Sequence, residues 1–508
     1  MLCLATAALV TIWLIHFLYH EMKKPKNFPH GPFFYPIIGN IVSVEKARRK
    51  AGMLTKGIME IAKTIPGTTD LIGFKIGKDR VVFTLSTKAF MDMYTNQDLD
   101  GRPFGPFYET RTFNLRRGIL FTDSEFWHAQ HRFILRQLKD FGFTRKGMIE
   151  ICENEAEFCL TDFRKMIESH GGKSATVTMP NILASYILNT LWQFMAGIRY
   201  DVDNEELRHL QNMLNDLFKS IDMKGALFSH FPFLQYIAPE ASGYNSYVRF
   251  HNNLHAFTKK EVERHKKNFN PSDEPRDLID AYLKVLYSGD ESGNKIHESF
   301  SELQLLAVML DMFVAGTETT DKVSNFMLLN IVRNPQIQQR AYDEIIKVVG
   351  KDRLPKLSDR PNLPYCEAIV FESLRAFTFY AMGIAHRAIA DTKLCGFDIP
   401  KNTMLISIFN PLNRDPTVFK NPQTFDPENF LDANGKLSIP DKFFPFALGK
   451  HRCIGEVLGK SNLFLFCTTL IQNFYFDVPS GCEMPSDEPI EGCTPTVIDY
   501  QARITLRN

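Results

Sequence analysis

The sequence predicts a mainly α-helical chain with a small β-sheet domain, an α+β fold, preceded by an N-terminal transmembrane helix. Three observations carry that prediction. Apolar residues recur at i, i+3 and i+4 around residues 145–170, 203–220, 245–268, 300–332, 335–349 and 363–377, the period of helices with one buried face. Strand-like runs are confined to residues 68–86, 392–407, 473–478 and the C-terminal end, too few and too scattered for a sandwich or barrel. Residues 2–19, LCLATAALVTIWLIHFLY, are apolar except at Thr6, Thr11 and His16, near the minimum length for crossing a bilayer.

Taken in chain order, residues 1–22 read as a membrane anchor, 23–40 as a basic and proline-rich hinge, and 41–508 as one large domain. Lys23, Lys24 and Lys26 follow the apolar run, and no small-x-small cleavage site precedes them. That favours an uncleaved anchor over a signal peptide, and the positive-inside rule places the rest of the chain in the cytosol. In FPHGPFFYPIIGN, Pro29, Gly31, Pro32, Pro36 and Gly39 forbid a helix. The segment should run as a stiff turn that orients the domain on the membrane, or else as a plain linker. Loops are expected at 268–275 (NFNPSDEP) and 288–294 (SGDESGN). No internal repeat or composition shift divides the remainder, so one domain is expected despite its length.

Composition narrows the class further. With 44% hydrophobic and 23% charged residues the chain is neither disordered nor fibrous. A formal net charge of +1 provides no global field for nucleic acid, and no nucleic-acid partner is expected. The nine cysteines, Cys3, Cys152, Cys159, Cys366, Cys395, Cys453, Cys467, Cys482 and Cys493, are odd in number with no CxxC pair. They suit a reduced compartment, most of them as small buried hydrophobes.

Cys453 has different company. In FFPFALGKHRCIGE, Phe446, Gly449, Cys453 and Gly455 fall at the spacing F-x-x-G-x-x-x-C-x-G. Glycines on either side of a metal-binding cysteine let the backbone approach a flat cofactor and turn amide N–H groups toward the sulfur. A cysteine between glycines would by itself be read as an ordinary loop residue entering a helix. The distant segment LDMFVAGTETTDK changes that reading: Ala315, Gly316, Glu318, Thr319 and Thr320 lie in mid-helix, where an acid beside a hydroxyl can relay protons through water.

On these segments the chain resembles the cytochrome P450 family, over essentially its whole length and in the family's order. The resemblance implies the P450 fold, residues 41–508 as a haem-thiolate monooxygenase domain, haem b (iron protoporphyrin IX) as cofactor, and Cys453 as the iron's thiolate ligand. It makes Glu318 and Thr319 the catalytic acid–hydroxyl pair, with the small Ala315 and Gly316 leaving space for dioxygen. Glu372 and Arg375 in FESLRAF match the family's structural E-x-x-R pair. The arginine that usually joins them is replaced by Asn429 in FDPENF, a neutral hydrogen-bond partner. At the haem propionates the family uses a W-x-x-x-R helix and an arginine before the cysteine. Here Trp127 is kept, but His131 and His451 stand at the arginine positions, and Arg132 and Arg452 lie one residue further on. His386 in GIAHRAIADT matches a histidine that many animal microsomal members use at a propionate. Three histidines there would make the haem site sensitive to pH near neutrality.

No G-x-G-x-x-G follows a strand, so electrons must come from outside. The resemblance implies NADPH–cytochrome P450 reductase, with cytochrome b5 as a further donor, docking on a basic face drawn from Arg132, Arg136, Lys139, Lys442, Lys450 and Lys460. It also implies location on the endoplasmic reticulum membrane, in contact with lipid. Substrate candidates by the family's layout are Phe104, Phe107, Phe113, Val314, Ala315, Phe379, Met382 and Cys493, an apolar set suited to a lipophilic molecule. Stretches such as LDGRPFGPF, RRGILFTDSEFW and LKDFGFTRK resemble arthropod members, farnesoate and methyl farnesoate epoxidases among them. The implied substrate is an isoprenoid or other hormone precursor, hydroxylated or epoxidised; foreign compounds are the alternative. A non-oxidative isomerase or dehydratase fits less well, because such members often lack the pair that Glu318 and Thr319 retain.

Overall fold

The computed structural model of the chain describes residues 2–140, 146–288 and 297–507. The expected 288–294 loop, beyond Ser288, and most of the LKDFGFTRK stretch lie outside them. Each of the six periodic stretches is a helix: Lys146–Ser169, Glu205–Ser220, Tyr244–Lys267, Glu302–Arg333, Pro335–Val348 and Pro364–Thr378. Their starts follow local chemistry. The Asn204 side chain accepts the Leu207 amide at 2.9 Å and Ser301 Oγ accepts that of Gln304 at 3.2 Å, both as N-caps. Pro335 and Pro364 occupy first-turn positions, where a missing N–H costs nothing.

Further helices lie outside those stretches, among them Ala184–Ala196 and Glu456–Asn473. Nearly every residue of the first is buried, and the second is buried from Ser461 to Gln472. Both pack against the Glu302–Arg333 helix, which runs about 48 Å through the core at 1.5 Å per residue.

Among the described residues nine strands form three sheets. A four-stranded sheet has the order β1 (Leu71–Ile76), β2 (Asp79–Thr84), β7 (Met404–Ser407), β4 (His386–Arg387). β1 and β2 form a hairpin with Leu71 opposite Thr84, turned at Gly77, whose φ of 54° favours glycine. β2 runs parallel to β7, and β4 antiparallel to it with His386 opposite Leu405. The second sheet is β3 (Ser174–Met179), β9 (Tyr500–Leu506), β8 (Phe474–Asp477), and β5 (Thr392–Leu394) pairs with β6 (Phe397–Ile399). β3 and β4 were not anticipated; β4 is two residues long and exists through its partner.

The N-terminal helix spans Leu2–Met22, and Leu9, Ile12, Trp13 and Ile15 along it are exposed. Residues 23–40 contain no helix, as their prolines require. They are not a free linker: Gly73 N–H donates to His30 O at 2.8 Å, Gly77 N–H to Ile38 O at 3.3 Å, and Lys75 N–H to Asn40 Oδ1 at 3.0 Å. The buried Lys75 ammonium reaches Glu21 O at 3.0 Å and pairs with the Glu21 carboxylate, tying the end of the first helix to β1.

Candidate active site

Cys453 sits in a loop whose turns are set by Ala447 and Gly449, at φ of 58° and 74°. A Cβ at Gly449 would come 2.3 Å from Tyr94 O, so only glycine lets this loop close on its neighbour. The Cys453 N–H donates to Phe446 O at 3.0 Å. Its sulfur, three residues before the Glu456–Asn473 helix, accepts from the Gly455 and Glu456 amides. Burial pushes the thiol up, while those amides favour the thiolate. Cys453 is nevertheless accessible, unlike the deeply buried Cys152, Cys159, Cys366 and Cys467.

The helix that begins after Cys453 crosses the Glu302–Arg333 helix at Gly459, where a Cβ would lie 3.6 Å from Thr320 Oγ1. At this crossing Ala315 and Thr319 are accessible, whereas Val314, Thr317 and Glu318 are buried. The central helix thus lines one open space with Ala315 and Thr319 and turns Glu318 away from it. Thr319 Oγ1 donates to Ala315 O at 2.7 Å. Glu318 lies 3.5 Å from Lys322 Nζ and accepts from Thr494 Oγ1 at 3.4 Å. Burial raises its carboxyl, and the Lys322 charge opposes that shift. Gly316 has another use than the one expected: a Cβ there would meet Leu191 Cδ2 at 2.6 Å, so its smallness serves the close packing of the Ala184–Ala196 helix.

Trp127, His131, His451 and His386 converge. His131 stacks on Trp127 at 4.3 Å between centroids, His451 lies 4.1 Å from Trp127, and His386 lies 5.9 Å from His451. Three N–H groups here are already committed to backbone carbonyls: Trp127 Nε1 to Ile119 O at 3.1 Å, His386 Nδ1 to Leu99 O at 2.9 Å, and His451 Nε2 to Asp100 O at 3.0 Å. Burial lowers all three imidazoles, His386 to about 3, with the Arg102 charge contributing at His386 and His451. These shifts all run toward the neutral imidazole. Arg132 does not join the cluster; it is exposed on the outer face of its helix.

The cation beside these rings is one the sequence did not single out. Arg102 is 3% exposed, and its Nη1 donates to Ala385 O at 3.0 Å and Ile384 O at 3.4 Å. Its Nε has no partner, and no carboxylate among the described residues lies within ion-pair distance of its guanidinium. Burial pulls this group down to about 10. The nearby Asp123 carboxylate is occupied by Arg116 at 2.9 Å and Arg387 at 3.1 Å. A buried guanidinium without a counter-ion is costly unless an anion completes it. The two propionates of a haem are such anions. With the accessible Cys453 and the small Ala315, the residues present therefore fit this group.

The Glu372–Arg375 pair is buried and bidentate, Nε to Oε2 at 2.7 Å and Nη2 to Oε1 at 2.6 Å. Arg375 also donates to the carbonyls of Asn413, Pro422 and Thr424, at 2.9, 2.9 and 2.7 Å. Asn429 Nδ2 approaches Glu372 Oε1 at 3.4 Å, and the Asp426 amide donates to the same oxygen at 2.7 Å. A backbone donor and an amide thus stand where a third charge was absent.

The substrate candidates separate. Met382 and Cys493 line the same small cavity, and Cys493 lies 3.7 Å from Met223 Sδ. Phe107 packs on Tyr247 at 4.8 Å and Phe113 on His255 at 4.2 Å, both against the Tyr244–Lys267 helix. Two are drawn elsewhere by cations: Phe104 is 44% exposed beneath Arg387, and Phe379 lies under Arg414 at 3.8 Å.

Residues 29–497 match the family model described as Cytochrome P450. Probable cytochrome P450 303a1 of Drosophila melanogaster is 45% identical over 495 residues, covering 97% of both chains. Farnesoate epoxidase of Bombyx mori is 34% identical over 490 residues, 96% of this chain and 95% of that one. Cytochrome P450 2J1 of Oryctolagus cuniculus is 29% identical over 482 residues, 94% of this chain and 91% of that one. The chain belongs to the cytochrome P450 family, and with it to the haem b monooxygenases.

Proposed function

We propose that Cys453 would supply the thiolate that holds the iron of haem b and that the chain oxygenates a lipophilic isoprenoid or similar hormone precursor, by hydroxylation or epoxidation. The observation that carries the site is the exposed residue Cys453, its sulfur held by the Gly455 and Glu456 amides beside the helix crossing where Ala315 and Thr319 are open. When bound, the haem supplies the binding and reductive activation of O2. The protein's own groups do the rest. Arg102 offers its unpartnered Nε to the propionates, flanked by Trp127, His131, His386 and His451 as a packed wall. Phe446, with Gly449 and Gly455, shapes the cysteine side. Glu318 exchanges protons with water and Thr319 presents its hydroxyl to the open space. Glu372, Arg375 and Asn429 hold the loop that precedes the cysteine segment. Phe107, Phe113, Val314, Ala315, Met382 and Cys493 form the apolar walls for substrate.

Electrons come from NADPH–cytochrome P450 reductase on the cationic side bearing Arg136, Lys139 and Lys442, or from cytochrome b5. The Leu2–Met22 helix is long and apolar enough to cross a bilayer. Two exposed apolar groups support a membrane-facing surface in the endoplasmic reticulum with the domain in the cytosol: Phe33, Tyr35, Ile37 and Val42, and Phe233, Tyr236 and Ile237. Ile38 and His230, at their edges, both bond the Gly77–Lys78 turn. The isoprenoid reading draws on the likeness to the Bombyx farnesoate epoxidase. The test is the reduced carbon-monoxide spectrum: the wild type should show the long-wavelength thiolate band and Cys453→Ala should lack it. A variant that kept the band would overturn the ligand assignment. Spin-state shifts on adding isoprenoids, but not steroids or fatty acids, test the substrate class.

A further inference from the structure

Arg111 and Asp311 form an ion pair closed off from solvent, at 3% and 2% exposure, with Arg111 Nη2 2.5 Å from Asp311 Oδ1. The other carboxylate oxygen accepts the Ile119 and Leu120 amides at 2.6 and 2.9 Å. Asp311 is thus held at both oxygens. Arg111 is not held at both nitrogens: its Nη1 is buried with no hydrogen-bond partner. Asp311 stands one turn before Ala315 on the Glu302–Arg333 helix, on the stripe that continues to Thr319. The pair therefore closes one end of the open side of that helix. Phe107 and Phe113 flank Arg111 in the chain and pack on Tyr247 and His255 of the Tyr244–Lys267 helix. The Arg111 carbonyl accepts from His255 Nε2 at 2.8 Å, and Phe121 lies under the guanidinium at 5.3 Å.

Charge decides what the bare N–H fits. Guanidinium and carboxylate cancel, and neither forms a further ion pair among the described residues. Burial holds the titratable groups of the Tyr244–Lys267 helix near the pair in their neutral forms, lowering His251 and His255 and raising Tyr247. A carboxylate brought to Nη1 would leave an uncompensated negative charge among aromatic rings, which is costly. A carbonyl oxygen accepts the same N–H and adds no charge. We propose that Arg111 is a specificity-determining residue: its Nη1 donates to the carbonyl oxygen of a neutral lipophilic ester or ketone, which the site takes in preference to a free acid. This rests on the reading of Phe107, Phe113 and Ala315 as walls of the substrate space. A site with a buried donor awaiting its partner discriminates strongly against a molecule that leaves it bare.

The test titrates full-length holoprotein, at about pH 8 where a free acid is ionised, with ω-imidazolyl alkanoic acids of several chain lengths, their methyl esters and the matching alkylimidazoles. The imidazole ligates the haem iron, so the Soret shift reports binding whatever the natural substrate is. At the chain length that reaches Arg111, the ester should bind on the order of tenfold more tightly than both the acid and the alkylimidazole. Asp311→Asn leaves the Arg111 charge uncompensated and should move the ester-to-acid ratio toward the acid, again on the order of tenfold. Arg111→Met/Asp311→Asn removes both charges together while an amide oxygen still accepts from Ile119 and Leu120. It should bind ester and alkylimidazole equally, and it keeps the test decisive where Asp311→Asn folds poorly. An acid bound as tightly as its ester by the wild type, an ester no tighter than the alkylimidazole, or an ester advantage that survives in the double variant would overturn the proposal. Methyl farnesoate and farnesoic acid, followed by their spin-state shifts, test the isoprenoid reading separately. If neither shifts while the imidazolyl esters keep their advantage, the isoprenoid falls and the carbonyl contact stands.

Discussion

Arg102→Gln separates a structural arginine from one that waits for an anion. The guanidinium is buried with an unpartnered Nε, and its Nη1 bonds only to backbone carbonyls. A charge so placed costs the protein stability until a counter-ion arrives. Replacing it with a neutral amide that still reaches Ala385 O should therefore leave the haem-free protein's melting temperature unchanged or raised. Haem binding should weaken. A hydrogen bond to a charged group is worth about 1.5–3 kcal/mol, so losing one at a propionate predicts about ten- to 150-fold weaker retention. The assay is haem transfer to excess apomyoglobin, followed in the Soret band, alongside thermal unfolding. Opposite signs in the two measurements are the signature of an arginine placed for an anion. A variant with a lower melting temperature and an unchanged haem-loss rate would refute the reasoning and make Arg102 a brace for the 384–385 carbonyls.

Glu372→Gln should destabilise the protein by about 3–5 kcal/mol, because it leaves Arg375 a buried cation held only by dipoles; denaturant unfolding measures it, and a loss under about 1 kcal/mol would mean the three carbonyls around Arg375 suffice. Gly316→Ala should cost roughly 1–3 kcal/mol by overpacking against Leu191 and be relieved by Leu191→Ala; failure of the second substitution to restore the melting temperature would count against the contact. His265 and Asp277, both buried, bond at 2.8 Å. Burial opposes the imidazolium, but the bond and charge of Asp277 outweigh it and raise His265 above its ordinary value. With a raised folded value, the pair's stabilisation is complete below about pH 6.5 and fades as pH rises through the folded value. The melting-temperature gap between wild type and His265→Gln should thus be wider at pH 6 than at pH 8.5, and a gap independent of pH would contradict the pairing.

What the sequence made legible follows from the range of the interactions involved. Four of the six periodic helices carry a solvent face, while Glu302–Arg333 and Pro364–Thr378 are buried along almost their whole length. The two-residue β4 exists only through β7 and could not be read locally. Cys453, Ala315–Thr319 and Glu372–Arg375 sit in short motifs whose chemistry depends on local spacing. Asn429 was readable as a neutral partner because it replaces a charge in a short segment, and it does approach Glu372. Arg102 was passed over because its isolation is a long-range fact. The Gly101–Arg387 bridge brings its segment beside His386, while Arg116 and Arg387 occupy the Asp123 carboxylate and Lys450 lies 3.7 Å from that of Asp100. An arginine before a proline in an aromatic run was the signal available. The cations over Phe104 and Phe379 could not be read for a related reason: aromatic character says nothing about which guanidinium a ring will meet.

The central helix resolves a difficulty in the acid–hydroxyl motif. Adjacent helical residues point about 100° apart, so Glu318 and Thr319 cannot face the same space. The protein uses that divergence. Residues 315 and 319, one turn apart, are accessible on one side of the helix, and residues 317, 318, 321 and 322 line a polar cavity of about 200 Å³ on another. An acid on the haem side would sit beside the substrate and favour polar ligands in an apolar space. On the other side it meets the Lys322 ammonium at 3.5 Å, while its sequence neighbour carries the hydroxyl. The peptide register thereby puts the carboxylate and the hydroxyl on different sides of one helix.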